Sequence, residues 1–213
     1  MKNNAIAIKN VYFSYDTTPV LEDFNLNIEK GSFVCLTGES GSGKSTALRL
    51  MNGLLLPDSG NVLINGKPLT KENLIETRRN MGYILQEGSL FPHFTVYQNM
   101  AYCSNLQHIP KEKIKKRIDE LLPIVSLDPS LLHKFPHELS GGQQQRVGII
   151  RGISHKPAIV LMDEPFTALD PETREDLQNL VKSIHQKTKT TFVMVTHSIP
   201  EAEKLATQIV KLK

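Results

Sequence analysis

The sequence predicts an α/β domain with a helical lobe set into it, and three observations carry that prediction. Phe33–Thr37 reads as a short apolar strand, and continuous apolar or β-branched runs at 158–162 and Thr191–Val195 read as strands covered on both faces of a parallel sheet. Between the last two lies a helical periodicity, with Leu177, Leu180, Val181 and Ile184 on one face of a crossover helix predicted over 171–187. From about residue 88 to 154 no strand signal is convincing and the apolar spacing is helical, so one lobe interrupts the strand-bearing chain.

Taken in order, Phe24, Leu26 and Ile28 alternate with polar residues at the period of a half-buried strand. Phe33–Thr37 ends at a glycine-rich loop, and residues 44–52 read as a helix stopped by Gly53 and Pro57. Short strands are predicted at 62–64 and 83–85. In the lobe, Ile114, Ile118, Leu121, Leu122 and Val125 recur at helical spacing, with Pro110 suited to the first turn. The charges of Lys111, Glu112, Lys113, Lys115, Lys116 and Arg117 read as that helix's solvated face. A second lobe helix is predicted over 142–154 and a last strand over 208–212. No repeat, flexible linker or low-complexity tract interrupts the pattern.

Composition narrows the function. In 213 residues, 39% are hydrophobic and the net charge is only +3, with no long basic run, so a nucleic-acid partner is not expected. Cys35 sits in an apolar run, and with Cys103 it forms no metal or disulfide spacing, which fits a reducing compartment. No apolar stretch approaches the roughly 20 residues of a membrane span, and the first residues lead into no signal-peptide core.

Gly38-Glu39-Ser40-Gly41-Ser42-Gly43-Lys44-Ser45-Thr46 fits G-x-x-x-x-G-K-[ST], a match that average residue usage produces in about one chain in a hundred of this length. A strand precedes it and a helix follows, as a phosphate loop requires. The glycines let backbone N–H groups converge on an anion, and the helix N-terminus adds partial positive charge. Lys44 is placed to reach β- and γ-phosphates, and the Ser45 hydroxyl to ligate Mg²⁺.

The run 159–162 ends in Asp163 and Glu164. Consecutive residues of a strand point to opposite faces, so the two carboxylates take different roles unless the chain turns there, as Pro165 suggests. Asp163 suits Mg²⁺, directly or through water, and Glu164 suits the water that attacks the γ-phosphate. Without a phosphate loop, an acidic pair here is a turn cap.

Leu139-Ser140-Gly141-Gly142-Gln143 precedes the second lobe helix. Ser140 is a natural N-cap, and the glycines admit close approach of a ligand. One nucleotide does not need two such cradles from one chain, but a two-fold dimer in which each turn faces the partner's nucleotide uses both. Alone, the segment is equally a plain helix cap. LSGGQ followed by QQRVGIIRGI resembles the signature of ABC-type ATPases.

That resemblance covers nearly the whole chain and implies a P-loop NTPase (RecA-like) core with a mostly parallel sheet, N-terminal antiparallel strands and an inserted helical subdomain. The core spans 1–87 and 155–213 and the helical subdomain 88–154. It also implies that two cassettes close head to tail around two ATP molecules. Tyr15 resembles the aromatic that stacks on adenine, with Tyr12 and Phe13 as alternatives. Gln86 matches the glutamine that contacts Mg²⁺ and the attacking water, Asp170 the loop that communicates across the dimer, and His197 the histidine on the γ-phosphate. Gly152 stands where the family more often has alanine. The chain stops soon after 208–212, so effector sensing by a further domain is not expected.

Stand-alone cassettes of this kind resemble importer subunits, most of all those for quaternary amines. The expected partners are a second copy, integral membrane permease subunits that dock near residues 88–96, and indirectly a substrate-binding protein. The expected place is the cytoplasmic face of the membrane. The alternative is a soluble, non-transport cassette.

Overall fold

The computed structural model of the chain describes residues 3–85, 89–167 and 169–212. The first strands, β1 (Asn4–Tyr15) and β2 (Thr18–Glu29), form an antiparallel pair. β3 (Phe33–Thr37) leads into α1 (Lys44–Met51), and β4 (Ser59–Ile64) returns to pair with β1 and with the short β5 (Lys67–Pro68). After α2 (Leu74–Arg79) and β6 (Met81–Ile84) come α3 (Val96–Leu106), α4 (Lys111–Leu121) and α5 (Gly141–Ile153), with 3-10 turns at Pro129–His133 and Pro136–Glu138. No strand occurs among the described residues of 89–154. The chain then runs through β7 (Ile159–Asp163), α6 (Pro171–Thr188), β8 (Thr191–Val195), α7 (Ile199–Leu205) and β9 (Gln208–Lys211).

The strands form two sheets, antiparallel in the order β2-β1-β4-β5 and parallel in the order β6-β7-β8-β3-β9. The period of two along each parallel strand divides the core. Phe33, Cys35, Val160, Met162, Phe192 and Met194 face the helices of the middle and C-terminal segments. Val34, Leu36, Ile159, Leu161, Val193 and Val195 face α1 and the antiparallel sheet. Because both faces are covered, these strands read as unbroken apolar runs. Burial pushes the Cys35 thiol up to about 12, so it stays protonated and unreactive at neutral pH. The C-terminal ends of β3, β7 and β8 thus bring the phosphate loop, the acidic pair and His197 to one edge of the sheet, where ligands bind in open α/β folds.

Gly152 acquires a physical reason. A Cβ on Gly152 would lie 2.8 Å from Cγ1 of buried Ile84, and one on Gly82 would lie 2.2 Å from the Gly152 carbonyl oxygen. The roughly 1 kcal/mol that glycine costs inside a helix is offset by the close approach of α5 to β6. Gly82→Ala is expected to cost about 1–3 kcal/mol, seen as a lower urea midpoint at unchanged slope. An unchanged midpoint would remove that contact from the account.

Candidate functional site

The phosphate loop is built by backbone geometry at its end. Gly43 has φ +83° as the residue preceding α1, in the left-handed region, and a Cβ there would press on Val20 and Leu21 at 3.0–3.2 Å. The loop and the first turn of α1 surround Lys44, which is 6% exposed. Its ammonium donates to the Gly38 carbonyl at 3.0 Å, the Glu39 carbonyl at 2.5 Å and Ser42 Oγ at 3.3 Å. The cation is therefore desolvated but held by polar atoms of its own loop, in reach of an anion seated on it.

Across the loop, Ser45 Oγ donates to Asp163 Oδ1 at 3.0 Å. Burial pushes the Asp163 carboxyl above its usual range, against the opposing pull of Ser45, Arg49 and Lys44. A carboxyl raised by folding holds its proton more tightly in the folded chain. Its stabilising contribution is complete below the ordinary carboxylate range and is lost as pH rises through the raised value. Asp163→Asn is accordingly expected to melt higher than the parent at neutral pH in metal-free buffer, with the gap closing in acid. A variant melting lower at neutral pH would contradict this.

Glu164 leaves the strand direction at once. Its φ is +44°, and its N–H donates to the Val195 carbonyl of β8 at 3.1 Å. This left-handed turn, unusual for a residue with a Cβ, separates the neighbouring carboxylates: Asp163 turns to Ser45, while Glu164 Oε2 lies 3.4 Å from His197 Nδ1 and accepts from Thr167 Oγ1 at 3.2 Å. His197 follows β8 and is flanked by Thr196, whose hydroxyl donates to Glu201 at 2.7 Å and accepts from the Ser198 N–H at 3.0 Å.

These groups converge on one cleft of about 570 Å³, lined by Tyr15, Val20, the loop and first turn of α1, Glu164 and His197. Of the three aromatic candidates, Tyr15 lines the cleft, at 42% exposure, with Arg49 donating to its hydroxyl at 3.5 Å. Phe13 is in the core, edge-on to Tyr15, and Tyr12 is exposed but does not line the cleft. Asp58 accepts from the Ser14 N–H at 2.8 Å and fixes this end of β1. Gln86 lies outside the described residues.

Two further predicted residues stand apart from this cleft. Ser140 caps α5 in a reciprocal capping box with Gln143, at 3.3 and 3.0 Å. No residue of 139–143 lines the cleft. Gly142 is crowded by Thr173 of α6, whereas a Cβ on exposed Gly141 would meet nothing within 4 Å. Asp170 caps α6 by accepting from the Thr173 N–H at 3.0 Å, which holds its carboxyl below the usual range.

Several residues that hold the site carry no motif. Gln145, 1% exposed on α5, donates to the Pro165 carbonyl at 2.7 Å and ties the Ser140 helix to the turn after Glu164. Arg174 donates to the carbonyls of Phe166 and Leu169 at 3.3 and 2.7 Å. Asn99, fully buried, accepts from the Phe91 N–H at 2.9 Å and donates to the carbonyls of Phe91, Phe94 and Thr95. It thereby organises residues 91–95, where Phe91, Phe94 and Tyr102 cluster and Arg151 lies over the Phe91 ring at 5.4 Å. Burial of such polar side chains is visible only once the chain is folded.

A parallel sheet in which a glycine-rich loop links a strand to a helix N-terminus, with an acidic strand end opposite, is the architecture of a P-loop nucleoside triphosphatase. Residues 21–167 match the ABC transporter family. The chain is 52% identical over 208 residues to the ergothioneine transport ATP-binding protein EgtV of Helicobacter pylori (strain G27), covering 98% of this chain and 97% of that one. It is 45% identical over 193 residues to the glycine betaine/carnitine/choline transport ATP-binding protein OpuCA of Bacillus subtilis (strain 168), covering 91% of this chain and 51% of the relative, so it spans about half of OpuCA. Its fold is similar to the dimeric, post-hydrolysis structure of the ATP-binding cassette MJ0796 bound to ADP and Pi, with TM-score 0.86, 35% identity, and 98% and 94% of the two chains covered. The chain belongs to the ABC transporter family and is an ATP-binding, ATP-hydrolysing cassette.

Proposed function

We propose that the chain is the motor of an importer, working as a head-to-tail pair on separate integral membrane permease subunits supplied by a substrate-binding protein. The observation that carries this reading is the division of the predicted site. Lys44, Ser45, Glu164 and His197 line one cleft and Asp163 is bonded to its Ser45, while the capped, exposed Ser140–Gly141 turn lies outside it. A second copy supplies the missing wall, and the dimeric state of MJ0796 supports such pairing.

In this reading Tyr15 stacks on adenine and the N–H groups of residues 38–46 receive the phosphates. Lys44 exchanges its loop carbonyls for β- and γ-phosphate oxygens. The hydroxyl and carboxylate oxygens of Ser45 and Asp163, already 3.0 Å apart, are a hard donor pair suited to Mg²⁺, which takes few protein ligands beside phosphate and water. When bound, the ion neutralises charge on the phosphates. Glu164 accepts a proton from the attacking water, and His197 holds the γ-phosphate and orients Glu164. Gln86 is assigned to the same water and ion, and Asp170 to the contact across the pair. Positioning and charge stabilisation do most of the work.

Residues 88–96 are proposed to receive a short cytoplasmic segment of the permease beside the Phe91 cluster, which places the chain at the inner face of the membrane. No helix among the described residues is long and apolar enough to cross a bilayer. The proposed cargo is a quaternary amine: ergothioneine, glycine betaine, carnitine and choline all carry a trimethylammonium group. Proteoliposomes holding this chain and its cognate permease are expected to accumulate labelled ergothioneine or betaine only with ATP on the side of the cassette. ATP hydrolysis with no uptake of any such amine would favour the soluble, non-transport cassette.

A further inference from the structure

A second basic site lies at the opposite edge of the molecule. Lys113, Lys116 and Arg117 stand at i, i+3 and i+4 of α4, on one face. They line a cavity of about 350 Å³ together with Ser154, His155 and Lys156 at the C-terminal end of α5. The volume lies within the range of small-molecule sites. Residues 154–156 precede β7, whereas Asp163 ends it, so five strand residues, roughly 15 Å, separate this cavity from the ATP cleft.

Two of its polar groups are buried in its wall. His155 is 7% exposed and its ring nitrogens have no solvent access; burial pushes its pKa down, and a hydrogen bond with the Met81 backbone opposes that shift. Arg117 Nε is buried without a partner, its Nη1 being turned to Glu120 at 3.4 Å. Among the described residues no carboxylate lies within 4 Å of the Lys113, Lys116 or Lys156 ammonium. The helix end of α5 contributes about half a negative charge, too little to outweigh four cations against the single acid Glu120. A neighbouring cavity of about 560 Å³ shares Arg117 and Lys156, adds Lys30 and Lys189, and is lined by no carboxylate. The basic run of α4 thus faces a recess rather than only open solvent.

We propose that the cavity between α4 and the end of α5 binds the phosphate group of a free, phosphorylated small molecule, with Arg117 and Lys156 as its principal ligands beside the buried His155 ring. A recess of about 350 Å³ favours a small ligand over a flat macromolecular surface. The assignment is independent of the importer reading.

The test uses the full chain carrying Lys44→Ala, so that the phosphate loop does not compete, titrated with sodium pyrophosphate. The readout is the histidine ring signals in NMR, with His155 assigned by His155→Gln. The His155 signals are expected to move to a plateau. The midpoint should rise about tenfold or more when Arg117→Gln or, separately, the exposed Lys156→Gln is added, while the other histidine signals keep their positions. A ring that does not respond, or responds with the same midpoint in both variants, overturns the site. Phosphatidylglycerol vesicles form the second arm and are expected to leave His155 unmoved. A response to vesicles and none to pyrophosphate would overturn the free-ligand assignment in favour of a lipid headgroup.

Discussion

Glu164→Gln is expected to retain ATP binding and to lower steady-state turnover by roughly 10²–10⁴-fold. The amide keeps the shape of the side chain and a carbonyl oxygen that accepts from Thr167 Oγ1, now 3.2 Å away. It cannot take a proton from water. The backbone that aims the group, with φ +44° and an N–H bonded to Val195, is untouched, so the loss is read as chemistry rather than as a displaced turn. Since His197 Nδ1 lies 3.4 Å from the same oxygen, His197→Ala should also lower turnover, and the double variant should fall short of the product of the two losses because the groups act as a unit. Near-normal hydrolysis by Glu164→Gln would remove this residue from the mechanism.

Ser140→Arg should abolish turnover while leaving ATP binding to the isolated chain unchanged. Within its own chain Ser140 caps α5, and losing a cap costs about 1 kcal/mol, a small part of the 5–15 kcal/mol of a typical domain. The chain therefore stays folded, and its own cleft, which no residue of 139–143 lines, stays intact. The bulk and charge of arginine act where a partner's triphosphate would sit against the turn. Loss of nucleotide binding by the monomeric variant would place Ser140 in its own chain's cleft instead.

The parallel sheet was legible because burial on both faces leaves strands no polar alternation to hide in, and Phe33–Thr37 and Thr191–Val195 are found over the predicted residues. Other elements gave weaker signals. α3 buries Val96, Asn99, Met100, Ala101 and Ser104, a face too polar to stand out by hydrophobicity; its one sequence mark is the Thr95/Gln98 capping box. α2 and α7 are short and bury little. Pro110 immediately precedes α4 rather than opening its first turn, and the periodicity through Val125 outruns a helix that ends at Leu121. The choice among Tyr12, Phe13 and Tyr15 lay beyond alternation, because register shifts on both sides of Phe13 break the strand period. Strand alternation already parts Asp163 from Glu164 and Pro165 points to a turn, but the form of that turn is not legible: a residue before proline favours extended backbone, and Glu164 is left-handed instead. The basic face of α4 read as solvated because sequence does not show that His155 and Lys156 close over it.

The central claim is that each hydrolytic site is shared between two copies. It is tested most directly by mixing Lys44→Ala and Ser140→Arg chains, each inactive alone, and measuring ATP hydrolysis. In a head-to-tail pair the mixed dimer holds one site with both defects and one with neither, so random pairing should restore about a quarter of the parent rate. A mixture as inactive as its components would contradict the shared site.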